Sequence, residues 1–220
     1  MAMLGQTRVL IGMPPAPDWI DGFVFGAPVF GYHFNHTHGS FRLGIILAGF
    51  FGGICFLMAT KQRADTIEWL ITCTVPLLLW LAYYGLTRTG KTGLRAQPVA
   101  KPLVIAFTWA WVSVFLPTNT GQWSELILMF LGRAAFLFVL ALCYDLVDTE
   151  YDLRHGLNTL VGKLGYDRSF CLIYTGLVFA SLCAAANFWL GILNLPAVLA
   201  LIFSLVFSAW WLYIKKKKTA

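Results

Sequence analysis

Apolar runs broken by short polar segments set the character of this chain. Six of them, at about residues 41–60, 66–86, 100–117, 124–144, 168–189 and 192–214, come near the roughly 20 residues an α-helix needs to cross the hydrocarbon core of a bilayer. An earlier run, Trp19 to Phe34, is shorter and is interrupted by Asp21 and Pro28. The pattern predicts an all-α fold, a polytopic transmembrane helix bundle of about seven to eight spans. It reads as a single transmembrane domain over residues 1–220, with an N-terminal segment at 1–17, an acidic loop at 145–167 and a basic tail at 215–220. Residues 1–17 carry Arg8 and the break Met13-Pro14-Pro15-Ala16-Pro17, without the apolar core and small-residue cleavage site of a signal peptide.

Composition agrees: 59% of residues are hydrophobic, 12% are charged and the mean hydropathy is +0.72, which excludes a soluble protein and predicts an integral, multi-pass one. The net charge of +6 does not indicate a nucleic-acid partner, because the cations lie where membrane orientation puts them. With seven spans, twelve basic residues share the side of the acidic loop and the C-terminus: Arg42, Arg88, Lys91, Arg95, Lys101, Arg154, Lys163, Arg168 and Lys215 to Lys218. Arg8, Lys61 and Arg63 fall on the other side, so the acidic loop and tail are expected to be cytoplasmic and the bilayer is the expected partner. The terminal lysines read as an interfacial anchor. The five cysteines all lie in apolar runs without metal-ligand spacing and read as small buried hydrophobes. Arg133 falls inside a span, where an unpaired charge costs roughly 3 kcal/mol. It either fastens helices by pairing with a polar group or borders a substrate cavity.

The chemistry is concentrated in Tyr144 to Gly165, YDLVDTEYDLRHGLNTLVGKLG, which holds four of the ten acidic residues directly after an apolar run. If the helix continues, Asp145, Asp148 and Asp152 share one face and Glu150 points elsewhere. Carboxylates about 6 Å apart repel by roughly 3 kcal/mol per pair at an effective dielectric of about 20, so such a face should recruit a divalent cation, a basic side chain or protons. Magnesium is the natural ion, since it takes a few carboxylates, keeps waters and bridges to phosphate oxygens.

This string resembles the second aspartate-rich motif of the UbiA-type intramembrane prenyltransferase superfamily: Asp145, Asp148 and Asp152, then Gly156, Thr159-Leu160 and Leu164-Gly165, with Val161 where the family has proline. The resemblance implies a UbiA-like bundle in which Asp145, Asp148 and Asp152 bind magnesium and, through it, the diphosphate of a polyprenyl donor. It implies transfer of the prenyl group to an aromatic or lipid acceptor. It reaches, more weakly, to Tyr83-Tyr84, the basic loop Thr87 to Ala100 and the segment from Lys101 to Pro117. Basic residues of that loop help hold the diphosphate in the family, which makes Lys101 the first candidate and Arg88 the next; Arg133 and Lys163 complete the candidate substrate-binding cations. These charges also suit plain membrane orientation.

The family's first acidic motif is missing. Gly31 to Ser40 reads GYHFNHTHGS, with no carboxylate, and the chain is short for a nine-helix family. His33, His36 and His38 could face the carboxylates as a mixed His/Asp site for a transition metal, or be ordinary solvated residues; His155 reads as part of the motif's turn. Trp109, Trp111, Tyr83 and Tyr84 could line an acceptor pocket or serve as packing aromatics. Two functions follow: a magnesium-dependent prenyl-diphosphate binder or prenyltransferase, and a non-catalytic membrane scaffold or accessory subunit of the same descent, held by a membrane-protein partner.

Overall fold

A computed structural model describes residues 18–24, 42–62, 66–84, 94, 97–118, 123–154, 158–193, 195–196, 198–199, 201–203, 205–208 and 210. Among them all regular structure is helical, with no strand. The principal helices are α1 (Arg42–Gln62), α2 (Thr66–Tyr84), α3 (Ala100–Val114), α4 (Trp123–Val147), α5 (Thr149–Arg154), α6 (Leu160–Leu164) and α7 (Tyr166–Trp189). Residues 19–24 form a shorter helical segment.

Within α4 and α7, Leu126–Val147 and Tyr166–Trp189 are long and apolar enough to cross a membrane. At 1.5 Å per residue their 22 and 24 residues extend about 33 and 36 Å, against a hydrocarbon core of about 30 Å. Only 28% and 39% of their most apolar windows are buried within the protein, so most of that surface faces outward rather than into a core. Ile127 and Leu131 on α4 and Val178, Phe179 and Leu182 on α7 are among the exposed side chains. The other apolar helical stretches, Gly49–Lys61, Ile67–Tyr83 and Ala100–Val114, are shorter. The run expected at 100–117 gives a helix only to Val114, followed by a turn at 115–117. Pro117 explains this, because a proline pushes its preceding residue out of the helical region. In α2, Pro76 lies inside the helix and removes one backbone donor. The described residues therefore give an all-helical fold with two candidate spans.

By its internal contacts the chain divides into two compact units, Met1–Leu77 with Val112–Gln122 and Leu78–Trp111 with Trp123–Ala220. The first is built around Ile20, Val24, Ala59, Trp69 and Leu116, with Phe23, Phe56, Cys73 and Val112 against them. Its helical segment 19–24 is capped by a reciprocal pair. Asp18 Oδ1 accepts from Ile20 N at 2.8 Å, and Asp21 Oδ2 accepts from Asp18 N at 2.8 Å. Asp21, an interruption by hydropathy, is thus a buried capping group. Trp69 buries its ring and donates Nε1–H to Thr60 Oγ1 at 3.0 Å, satisfying the indole.

In the second unit α4 packs along α7, around Val139, Leu142, Leu160, Val161, Phe170, Ile173, Leu177, Ala180 and Leu205. Small residues set this seam. A Cβ at Gly176 would lie 2.6 Å from Val139 Cγ2, and one at Gly132 would lie 2.9 Å from Cys183 Cβ, so the backbones approach as small residues permit between membrane helices. In the same unit Phe130 meets Phe107 and Trp111 edge-on, with ring centroids 5.0 and 6.0 Å apart. Trp111 therefore serves as a packing aromatic, while Trp109 is exposed.

Candidate functional site

The end of α4 carries the candidate chemistry. Asp145 lies in its last turn and is buried. Lys101 lies in the first turn of α3, where its backbone N donates to Gln97 O at 3.0 Å. Lys101 Nζ donates to Asp145 Oδ1 at 3.1 Å, with the lysine side chain 32% exposed and the aspartate 10%. A buried carboxylate needs a counter-charge, and here the basic side chain of an adjoining helix supplies it. The other oxygen, Asp145 Oδ2, is buried and has no hydrogen-bond partner among the described residues.

After Val147 the chain bends at Asp148 and resumes as α5. Helical bonding persists through the bend, since Asp148 N donates to Tyr144 O at 3.0 Å and Asp152 N to Asp148 O at 2.9 Å. The buried Thr149 hydroxyl bonds back to Asp145 O at 2.9 Å and to Leu146 O at 3.1 Å, and threonines bonding back in this way bend helices. The three carboxylates expected on one face are consequently divided. Asp145 and Asp152 are buried, whereas Asp148, at the bend, is exposed. Two helical turns separate the buried pair, about 10 Å along an ideal axis, too far for both to grip one ion closely.

The rest of the motif has structural work. Thr159 is the N-cap of α6, its hydroxyl accepting from Gly162 N at 3.2 Å, and Leu160 joins the core of the second unit. Val161, buried in the first turn of α6, joins the same core. Gly165, at φ +75°, closes α6 and opens α7, a conformation glycine adopts at no steric cost. Its carbonyl accepts from Ser169 N at 3.1 Å and from Ser169 Oγ at 2.7 Å.

Of the other candidate cations, the two among the described residues, Arg133 and Lys163, make no ion pair with Asp145. Arg133 is buried in α4, but twelve residues of helix, about 18 Å, separate it from Asp145. Lys163 is exposed on α6. Arg88, His33, His36, His38, His155 and Lys215 to Lys218 lie outside the described residues. Sequence reading missed the specific Lys101–Asp145 pair, although the rule that a carboxylate face recruits a basic side chain anticipated its kind.

Among the described residues no three His, Cys, Asp or Glu side chains are grouped so that they could hold a metal ion. What is present fits a hard cation bound by one or two carboxylates that completes its shell with phosphate oxygens and water, as magnesium does, and does not fit a protein-only cage. Asp145 Oδ2, buried and without a hydrogen-bond partner among the described residues, is the oxygen such a cation would take. No family model, curated protein or solved structure matches the chain.

Proposed function

We propose that this is a multi-pass membrane protein of the UbiA-like type that binds a polyprenyl diphosphate through magnesium at the acidic end of α4. On this reading it transfers the prenyl group to an aromatic or lipid acceptor. The observation that carries the proposal is Asp145, a buried carboxylate with one oxygen on Lys101 and the other without a hydrogen-bond partner among the described residues. A buried unpaired anionic oxygen is costly, and a cation ligand offsets that cost. The motif spacing supports the same reading. Bound there, magnesium would neutralise charge on a departing diphosphate. Lys101 would bind phosphate oxygens, Asp145 would hold the cation, and the apolar helices would accommodate the tail. The excess of basic residues on one side supports a cytoplasmic acidic loop and tail.

The test is binding of a radiolabelled polyprenyl diphosphate to detergent-purified protein with and without magnesium, for wild type and Asp145→Asn. Magnesium-dependent binding that disappears in the variant is expected; folded wild-type protein that binds nothing refutes the proposal. One observation favours a second reading, a non-catalytic scaffold or accessory subunit: Lys101 already neutralises Asp145 without any ligand. That reading expects a stoichiometric membrane-protein partner to remain bound after gentle solubilisation, and purification as a stable lone chain would count against it.

A further inference from the structure

We propose that Lys101 makes the acidic site selective for a cation that arrives with a diphosphate and bars a cation that arrives alone. This inference rests on the diphosphate reading above and assigns to Lys101 the control of that site. Asp145 Oδ1 is held by the Lys101 ammonium at 3.1 Å, and Asp145 Oδ2 is buried beside it without a hydrogen-bond partner among the described residues. A divalent ion approaching Oδ2 alone meets the Lys101 ammonium within a few ångströms, held on Oδ1 of the same buried carboxylate. The repulsion opposes the attraction of the single carboxylate, so the free ion binds weakly.

A diphosphate changes the balance. Lysine has three donors on a flexible four-carbon stem, and this side chain is a third exposed, so its ammonium can turn from the carboxylate to phosphate oxygens. Asp145 Oδ1 is then released beside Oδ2, and both oxygens face the cation that the diphosphate carries. Cation and diphosphate therefore bind with positive, reciprocal coupling. Asp148 is exposed and cannot substitute for the buried carboxylate in this exchange.

The experiment uses the full chain in detergent, with manganese as a spectroscopic probe of the magnesium position and inorganic pyrophosphate as the anion. Lys101→Gln keeps a hydrogen-bond donor for Asp145 but removes the charge, and Lys101→Met provides a second variant. In the absence of pyrophosphate, each should bind manganese about tenfold or more tighter than wild type. Pyrophosphate should tighten manganese binding in wild type, and that gain should shrink in the variants. Unchanged or weaker manganese binding in folded variants overturns the proposal. If both variants unfold, millimolar manganese should restore cooperative melting by replacing the lost counter-charge, and failure to do so also overturns it. The two readings fail separately. Tighter manganese binding by the variants with no prenyl-diphosphate binding by any protein supports Lys101 as a barrier and refutes the diphosphate function. Intact prenyl-diphosphate binding without tighter manganese binding refutes the barrier alone.

Discussion

Lys101 Nζ and Asp145 Oδ1, 44 residues apart in sequence, meet at 3.1 Å where the first turn of α3 reaches the last turn of α4. Because the aspartate is buried and the lysine partly exposed, the two partners should respond unequally to removal. Lys101→Met strands a buried carboxylate and should destabilise the protein by about 2–4 kcal/mol, whereas Asp145→Asn leaves an exposed-side ammonium that can rehydrate and should cost about 1 kcal/mol. Combining them should recover part of the loss. A double-mutant cycle by denaturant unfolding measures this, and additive effects would show that the pair contributes nothing to stability.

Much of this region was legible before the fold, because the information is local. Apolar runs of about 20 residues foretold α4 and α7, and the acidic string foretold carboxylates at the end of α4, though with Asp145, Asp148 and Asp152 on one face rather than divided by a bend. The bend at Asp148 was not legible: it depends on the Thr149 hydroxyl choosing the carbonyls of Asp145 and Leu146 over solvent. Nor does hydropathy distinguish a charge that interrupts a span from one that caps a helix, as Asp21 does from Asp18. The length of α3 was over-read because Phe115 and Leu116 are apolar enough to extend the run while Pro117 ends the helix.

The seam between α4 and α7 predicts a steric pair. A Cβ at Gly176 would approach Val139 Cγ2 to 2.6 Å, and valine has little freedom to turn away on a helix. Gly176→Ala should destabilise the protein by about 1–3 kcal/mol despite alanine's better helix propensity. Val139→Ala in the same chain should recover part of that loss, since it removes the clashing methyl. Thermal unfolding of the single and double variants checks this, and a stabilised Gly176→Ala protein would contradict the packing.

Asn187 should behave in the opposite sense. Its Nδ2 donates to Cys183 O at 2.7 Å, but its buried Oδ1 has no hydrogen-bond partner among the described residues. Replacement by an apolar side chain of similar size removes an unsatisfied acceptor and one modest hydrogen bond together. Asn187→Leu should therefore be neutral or stabilising by up to about 1 kcal/mol, read as the midpoint of denaturant unfolding. A loss of more than about 2 kcal/mol would mean that Oδ1 has a partner the protein depends on.

The carboxylates of the acidic motif should rank by burial rather than by sequence order. Asp145 combines burial, an oxygen without a hydrogen-bond partner among the described residues and a lysine poised beside it, whereas Asp148 is exposed at the bend and surrounded by water that competes for any ion. Removing a charged group that bonds a ligand in a buried site costs about 1.5–3 kcal/mol, which is roughly tenfold to a hundredfold in affinity. Asp145→Asn should lose at least that much magnesium-dependent diphosphate affinity, while Asp148→Asn should lose no more than about threefold, the value of a screened surface charge. Asp152→Asn, buried two turns further along, should fall between them. Titration of a fluorescent polyprenyl diphosphate against the three variants gives the order directly. If Asp148→Asn proved the most damaging, the bend at Asp148 would have to straighten on binding, returning all three carboxylates to one helical face.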